Sequence, residues 1–464
     1  MSRVRSRLAR LQSLIAVLFC LALSPSLLQS QAPAIPPETL EGAQRLVDAA
    51  LASSVAWDRL AELVDAFGPR LSGSESLEAS LDWILEGMAE DGLDNVRAEP
   101  VMVPRWIRGK ESVELISPRA KSMALLGLGG SIGTPPQGLR GEVLVVGSFS
   151  ELEERAAEAQ GRIVLFDAPF TTYGETVQYR GRGAVAAAQA GAVASLIRSV
   201  TPFSMNTPHT GNMSYQEGVP EIPHAAITLE DAGMLHRMQD RGERIEVLLK
   251  MEARSEGMVA SRNVMAEIVG WEHPDEVVVL GGHSDSWDVG QGAMDDAGGV
   301  VAAWEAVRLM KVLGLRPRRT VRVVGWVAEE MGIFGGQAYA RAPGRDSETH
   351  VLDIESDGGV FSPLGFGFTG TDEAFAMVQE IARILEPIGA GSVTRGGGGA
   401  DIGPMMEGGM PGMGLNVEST EYFWYHHTNA DTLDKLDPEE VARCVAVMAV
   451  MAYVVADLPE SLYR

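Results

Sequence analysis

The chain has 464 residues, 45% of them hydrophobic and 22% charged, enough apolar material for two or three units with sizeable cores. Its 63 acidic residues against 38 Lys and Arg give a formal net charge of −25. That balance argues against nucleic acid or an anionic membrane as a partner.

The first 31 residues read as a secretory leader. Arg3, Arg5, Arg7 and Arg10 make a basic start, Leu14 to Leu23 is apolar without a break, and the chain then turns small and polar up to Ala32. An apolar run of this length is too short to span a bilayer. The expected destination is therefore secretion or the periplasm, with no stable membrane insertion. Of the two cysteines, Cys20 leaves with the leader and Cys444 remains, so the mature chain forms no internal disulfide and relies on its core.

After the prolines at 33, 36 and 37, Leu40, Ala43, Leu46, Val47 and Leu51 recur at helical spacing. Further helices are expected over 55–67 and 74–90, separated by the breaker Gly68-Pro69-Arg70-Leu71-Ser72-Gly73. From about residue 113 to 251 the texture shifts to short β-like runs at 141–146 and 162–166. A helix rich in small residues follows, from Arg180-Gly181-Arg182-Gly183-Ala184 into Ala190-Gly191-Ala192-Val193-Ala194, then a run at 222–227 and a helix near Leu229. With one or two helices, this stretch reads as a β-rich lid inserted over 117–253 between two parts of a catalytic domain, 32–116 and 254–464. From Asn263 strands and helices alternate, the pattern of a mostly parallel sheet. Strands are expected at 276–281, 320–327, 350–354 and 412–417, and helices at 297–313, 334–341, 373–384 and 438–458.

The chemistry-bearing residues cluster at the ends of those strands. His283 closes the first, with Asp285 two residues on; Asp295 lies in Gly292-Ala293-Met294-Asp295-Asp296-Ala297-Gly298-Gly299; Glu329 and Glu330 follow the second; Asp357 follows the third; His426 and His427 lie beyond the last. In an open parallel sheet the C-terminal edge is where catalytic groups gather. Two imidazoles and three carboxylates there form a mixed nitrogen and oxygen set that suits zinc. Spacing alone does not choose among Asp353, Glu355 and Asp357, which alternation puts on one face. His426 competes with His427 in the same way. Asp401 is a candidate for substrate binding or for helix capping, and His426 is a second substrate-binding candidate. The tract Gly396 to Gly399 reads as an active-site loop, and Asn212-Met213-Ser214 is a glycosylation sequon.

His283-Ser284-Asp285, Asp295-Asp296, Glu329-Glu330, Asp357 and His427-Thr428-Asn429-Ala430-Asp431-Thr432 resemble, in order, the five motifs of the M28 co-catalytic zinc metallopeptidases, which include aminopeptidases and carboxypeptidases. The middle of the chain also resembles a protease-associated domain. The resemblance implies an α/β exopeptidase domain with a central, mostly parallel sheet plus an inserted β-rich protease-associated lid. It implies two zinc ions per subunit, with Asp295 bridging, His283 and Asp357 completing one site, and Glu330 and His427 the other. Glu329 is the implied general base, and Asp285 orients the His283 ring by accepting its other N–H. Trp287-Asp288-Val289-Gly290-Gln291-Gly292, Leu315-Arg316-Pro317-Arg318-Arg319-Thr320 and Thr176-Val177-Gln178-Tyr179-Arg180 resemble a carboxypeptidase branch that acts on small peptides, especially dipeptides with free termini, as a homodimer. An aminopeptidase with the same metals stays open, as do a non-catalytic binding protein on the same scaffold and a metal-dependent hydrolase of other amides. The ligand set does not separate the two exopeptidase directions.

Overall fold

The computed structural model describes residues 35–462; the expected leader over 1–31 lies outside them. In chain order the elements are α1 (Pro37–Leu51), α2 (Val55–Phe67), α3 (Glu75–Glu90), β1 (Asp94–Ile107), β2 (Glu111–Ser117), β3 (Lys121–Met123), β4 (Leu125–Gly127), β5 (Leu139–Val146), α4 (Phe149–Glu154), α5 (Ala156–Ala159), β6 (Ile163–Phe166), α6 (Tyr173–Thr176), α7 (Gln178–Gln189), β7 (Ala194–Arg198), β8 (His224–Ile227), α8 (Leu229–Asp240), β9 (Glu246–Met251), β10 (Arg254–Ile268), β11 (His273–His283), α9 (Gly298–Val312), β12 (Arg319–Trp326), α10 (Phe334–Ala340), β13 (Thr349–Glu355), β14 (Pro363–Thr369), α11 (Asp372–Ala382), β15 (Ser392–Arg395), α12 (Gly403–Met406), β16 (Gly412–Val417), α13 (Tyr422–Tyr425) and α14 (Pro438–Asp457).

The first sheet has the order β1-β10-β12-β11-β13-β16-β14-β15. Its centre, β12-β11-β13-β16, is parallel throughout, so these four strands end on one edge. Hydrophobic runs make this possible: Val277 to Leu280 and the inner part of β12 are buried on both faces, the pattern of a covered parallel sheet. Helices α9 and α14 pack against β11 and β12. Helix α14 is buried almost throughout, and its start is fixed by Pro438 and by the Asp437 carboxylate, which accepts the Glu439 and Glu440 N–H groups.

The second sheet, β3-β2-β9-β5-β6-β7-β8-β4, is built from residues 111–251. It carries five helical segments, α4 to α8, where the sequence points to one or two. The small-residue run also divides. Helix α7 stops at Gln189, and Ala194 opens β7, because Gly191 takes a left-handed φ of 83° that ends the helix. Leu71 and Trp106 from the N-terminal segment and Trp287 and Met331 from the first sheet's loops join the apolar cluster of the second sheet.

The sequence reading does not anticipate β1, β10, β14 or β15. β1 lies at the sheet edge, carries Pro100 and Pro104, and is mostly half-buried or exposed. Proline is tolerated in a sheet mainly at such an edge.

Candidate metal centre

Four loops leave the parallel edge and converge. The β11 end supplies His283; the β12 end leads within four residues to Glu329 and Glu330; Asp357 lies two residues past β13; His426 and His427 follow α13, beyond β16. Backbone strain is concentrated here. Ala328, Ile333 and His427 have φ of 60°, 54° and 61°, left-handed values that non-glycine residues rarely adopt and that mark functional sites. Ala328 turns the chain immediately before the glutamate pair.

The loop bearing Asp295 is held from below. Asp431 Oδ1 accepts the N–H groups of Ala293 and Met294, each at 2.9 Å. Asp296 accepts from His283 N at 3.0 Å and from Gly299 N at 3.1 Å; a Cβ on Gly282 would collide with that carboxylate. The fully buried Arg70 donates to the carbonyls of Gly68, Ser284, Gln291 and Gly292. Arg70 does not stand out in the sequence as a site residue, and Asp431 does so only as part of the His427 motif, because each acts on backbone that only the fold brings near.

The two imidazoles are oriented alike. His283 Nδ1 lies 3.0 Å from the Asp285 carbonyl, and His427 Nδ1 lies 3.2 Å from the Thr210 carbonyl. A carbonyl only accepts, so each Nδ1 carries the hydrogen and each Nε2 keeps a lone pair. Those lone pairs face carboxylates. His283 Nε2 is 3.1 Å from Asp295 Oδ1 and 3.3 Å from Asp357 Oδ1. His427 Nε2 is 3.4 Å from Asp295 Oδ2 and 3.1 Å from Glu330 Oε2. His426 stacks on His427 with ring centres 3.4 Å apart, its Nε2 3.7 Å from Asp295 Oδ2.

An acceptor facing an acceptor is repulsive unless a metal ion or a proton lies between them. Buried Glu330 Oε1 and Asp295 Oδ2 find no hydrogen-bond partner, a costly state that a bound ion relieves. Four carboxyl groups, Asp295, Glu329, Glu330 and Asp357, meet two oriented imidazoles, and three sets of side chains are close enough to hold an ion: Asp295 with His426 and His427, His283 with Asp296 and Asp357, and His283 with Asp295 and Glu330. Nitrogen and oxygen donors in this mixture fit zinc. Burial and neighbouring charges shift the titration of these groups. Burial would depress His427, but Glu330 and Asp295 raise it to about 9. Burial lifts Asp295, yet the two imidazoles hold it well below the usual carboxylate range. Burial pushes Glu330 up to about 7, and burial with the nearby Asp357 charge raises Glu329 well above its ordinary value.

The three acidic residues that spacing left open have different partners. Asp353 pairs with His350 at 2.9 Å, and Glu355 accepts the Ile402 N–H at 2.9 Å, both away from His283; Asp357 is the one of the three beside His283. The Asp285 carboxylate is 3.5 Å from His283 Nδ1, farther than its own backbone carbonyl, and accepts the Glu329 N–H at 3.1 Å. It thus ties the strand end bearing His283 to the glutamate pair. Asp401 is fully buried, accepts the Gly336 N–H at 3.0 Å and is not among the residues lining the cleft. His426 does line it.

That cleft, of about 370 Å³, lies over the centre and is bounded by Tyr173, Arg180 and Asn212 of the second sheet's segment and by Glu329, Glu330, Ile333, Asp357, Tyr422, Phe423 and the two histidines. The sequon residue Asn212 is therefore a cleft residue. The aromatic wall was missed in the sequence because its members come from two distant segments.

A sequence profile of peptidase family M28 matches residues 263–452. The chain is 50% identical to carboxypeptidase Q of Bos taurus, over 89% of this chain and 88% of that protein. It is 48% identical to carboxypeptidase Q of Homo sapiens over the same shares. Among solved structures it is similar to a peptidase M28 precursor from Shewanella amazonensis SB2B, with a TM-score of 0.88 and 36% identity over 92% of this chain and 98% of that one. A zinc aminopeptidase from Bacillus subtilis shares the fold, with a TM-score of 0.66 and 22% identity over 88% and 96%.

Proposed function

The chain belongs to peptidase family M28 and is a zinc exopeptidase, and from that premise we propose that it is a secreted carboxypeptidase acting on small peptides, above all dipeptides with free termini, through two zinc ions per subunit. One observation carries the two-ion reading. The two oxygens of the single carboxylate Asp295 face two different imidazoles, Oδ1 toward His283, whose Nε2 also meets Asp357, and Oδ2 toward His427, whose Nε2 also meets Glu330. His283 and Asp357 would hold one ion, Glu330 and His427 the other, with Asp295 shared.

When bound, the zinc ions supply Lewis acidity toward the scissile carbonyl and acidify water. The chain's own residues do the rest. Glu329 belongs to neither donor pair, lines the cleft and takes the proton of the attacking water; the same carboxyl then gives it to the leaving amine as the C–N bond breaks. Asp285, bonded to the Glu329 N–H, keeps that carboxyl's backbone in place. Tyr173, Tyr422 and Phe423 wall the cleft against water. Its volume lies near the lower end for ligand pockets, which supports a short substrate.

The same reading makes residues 117–253 a protease-associated lid, supported by the cleft residues this segment contributes. It also makes the protein a homodimer. Exposed Met102 and Met258, on the same face of the β1–β10 ribbon, supply apolar surface for a subunit contact, and sedimentation equilibrium checks it.

The testing experiment is hydrolysis of Ser-Met against the same dipeptide blocked at either end, before and after chelation and zinc addition. Cleavage that requires zinc and a free C-terminus supports the reading. Cleavage that needs only a free amine replaces it with an aminopeptidase.

A further inference from the structure

We propose that Arg108 is a positioning residue for one zinc site alone, the Glu330 and His427 pair, and that it acts by holding the second sheet's segment against His427; the inference rests on the two-ion reading above. The two ligand imidazoles are held differently. The acceptor for His283 Nδ1, the Asp285 carbonyl, lies two residues along the same loop. The acceptor for His427 Nδ1, the Thr210 carbonyl, comes from the second sheet's segment, 217 residues away in the chain. A second bond closes the clasp: the Thr210 N–H donates to the His427 carbonyl at 3.0 Å. The other group near that nitrogen, Arg180 Nη1 at 3.3 Å, is a donor and takes no proton from it. The tautomer and ring orientation that a metal ligand needs are thus set for His427 by residue 210.

Residue 210 is docked by Arg108, which follows β1 and is only 8% exposed. Its Nε and Nη2 grip both oxygens of Asp288 at 2.8 and 2.5 Å, a bidentate pair. Its Nη1 donates to the Gly127 carbonyl at the end of β4, and Nη2 also reaches Thr210 Oγ1 at 3.3 Å. Thr210 Oγ1 in turn donates to the same Gly127 carbonyl at 2.8 Å. Glu111, 3.6 Å from Arg108, accepts the Gly127 N–H at 3.0 Å, so Gly127 is held on both sides. Thr210 is buried, and polar groups there have no water to replace a lost partner.

Asp288 lies in the loop that runs from His283 to Asp295, next to Trp287, whose ring centre is 5.5 Å from that of His427. One guanidinium therefore joins a loop of the first sheet to two points of the second sheet's segment. The loop itself has separate supports in Arg70 and Asp431. Loss of the Arg108 grip should free residue 210, and with it the His427 ring, while His283 keeps the acceptor in its own loop. Linkage is reciprocal, so zinc held by Glu330 and His427 should also hold the segment down.

The test measures zinc affinity by competition with a chromogenic chelator for the wild type, R108M and R108K. Anomalous diffraction from crystals held at intermediate chelator assigns each affinity to a site. In R108M the ion beside His427 is expected to weaken roughly 10- to 100-fold, and the ion beside His283 to bind as in the wild type. R108K keeps the charge but not the fork, and the same ion weakens roughly tenfold; it carries the test alone if R108M does not fold. Hydrogen exchange of the wild type reads the linkage without any substitution: zinc should slow exchange in peptides covering residue 210. Equal weakening of both ions makes Arg108 a general support and overturns the inference. Unchanged affinities in a folded variant, or exchange at residue 210 that ignores zinc, overturn it too. A wild type that binds a single zinc ion overturns the two-ion reading and the inference with it, a result distinguishable from failure at Arg108.

Discussion

Replacing Glu329 with Gln removes a proton acceptor and leaves nearly everything else in place. The two side chains have the same shape, and the Glu329 N–H bond to Asp285 is a backbone contact that the change does not touch. Glu329 is absent from the groups of side chains placed to share an ion, so zinc content should hold. No other carboxylate of the cleft is free to take over. The other carboxylates of the cleft are Asp295, Glu330 and Asp357, and each is directed at an imidazole. General-base catalysis contributes about 10²- to 10⁴-fold, so kcat should fall about 1,000-fold, or about 4 kcal/mol in the barrier. The assay is steady-state hydrolysis of Ser-Met by E329Q alongside elemental analysis of the same sample. Activity within tenfold of wild type at full zinc content would refute the assignment of the base.

Arg70→Met deprives four buried or partly buried carbonyls of their donor and should lower stability by about 3–5 kcal/mol in urea titrations. Asp431→Ala frees the Ala293 and Met294 N–H groups and should weaken zinc affinity roughly tenfold or more in chelator competition, with little change in the far-ultraviolet dichroism. Burial lowers the His224 imidazole from 6.5 to about 4. The unfolded chain therefore takes up a proton that the folded one refuses, and stability falls as pH drops from 6.5 toward 4, by about 3 kcal/mol from this group. His224→Gln should flatten that slope in pH-dependent unfolding. Burial raises the Cys444 thiol far above its usual range, so alkylation mass spectrometry should find it unmodified until the protein unfolds.

Much of the catalytic half was legible because parallel strands buried on both faces announce themselves as apolar runs. Residues 276–281, 320–327 and 412–417 were expected as strands, and the structure has β11, β12 and β16 there. The candidate donors stood at or just beyond those strand ends, and the resemblance to the M28 motifs chose among them. What escaped depends on long-range contact. β1 and the exposed first half of β10 form a ribbon whose alternation is blurred by Pro100, Pro104 and polar side chains. Asp353, Glu355 and Asp357 share a face in sequence logic, and only the positions of His350, Ile402 and His283 tell them apart. Arg180 lies in a stretch that resembles the carboxypeptidase branch, yet its place in the cleft beside His427 and Gly211 comes only from the fold.

The measurement that bears most directly on the account is anomalous diffraction at the zinc edge from crystals of the zinc-loaded protein. Two peaks about 3.5–4 Å apart, one beside His283 and Asp357 and the other beside His427 and Glu330 with Asp295 between them, are the expected result. A single peak at full zinc saturation, or zinc lying away from Asp295, would contradict it.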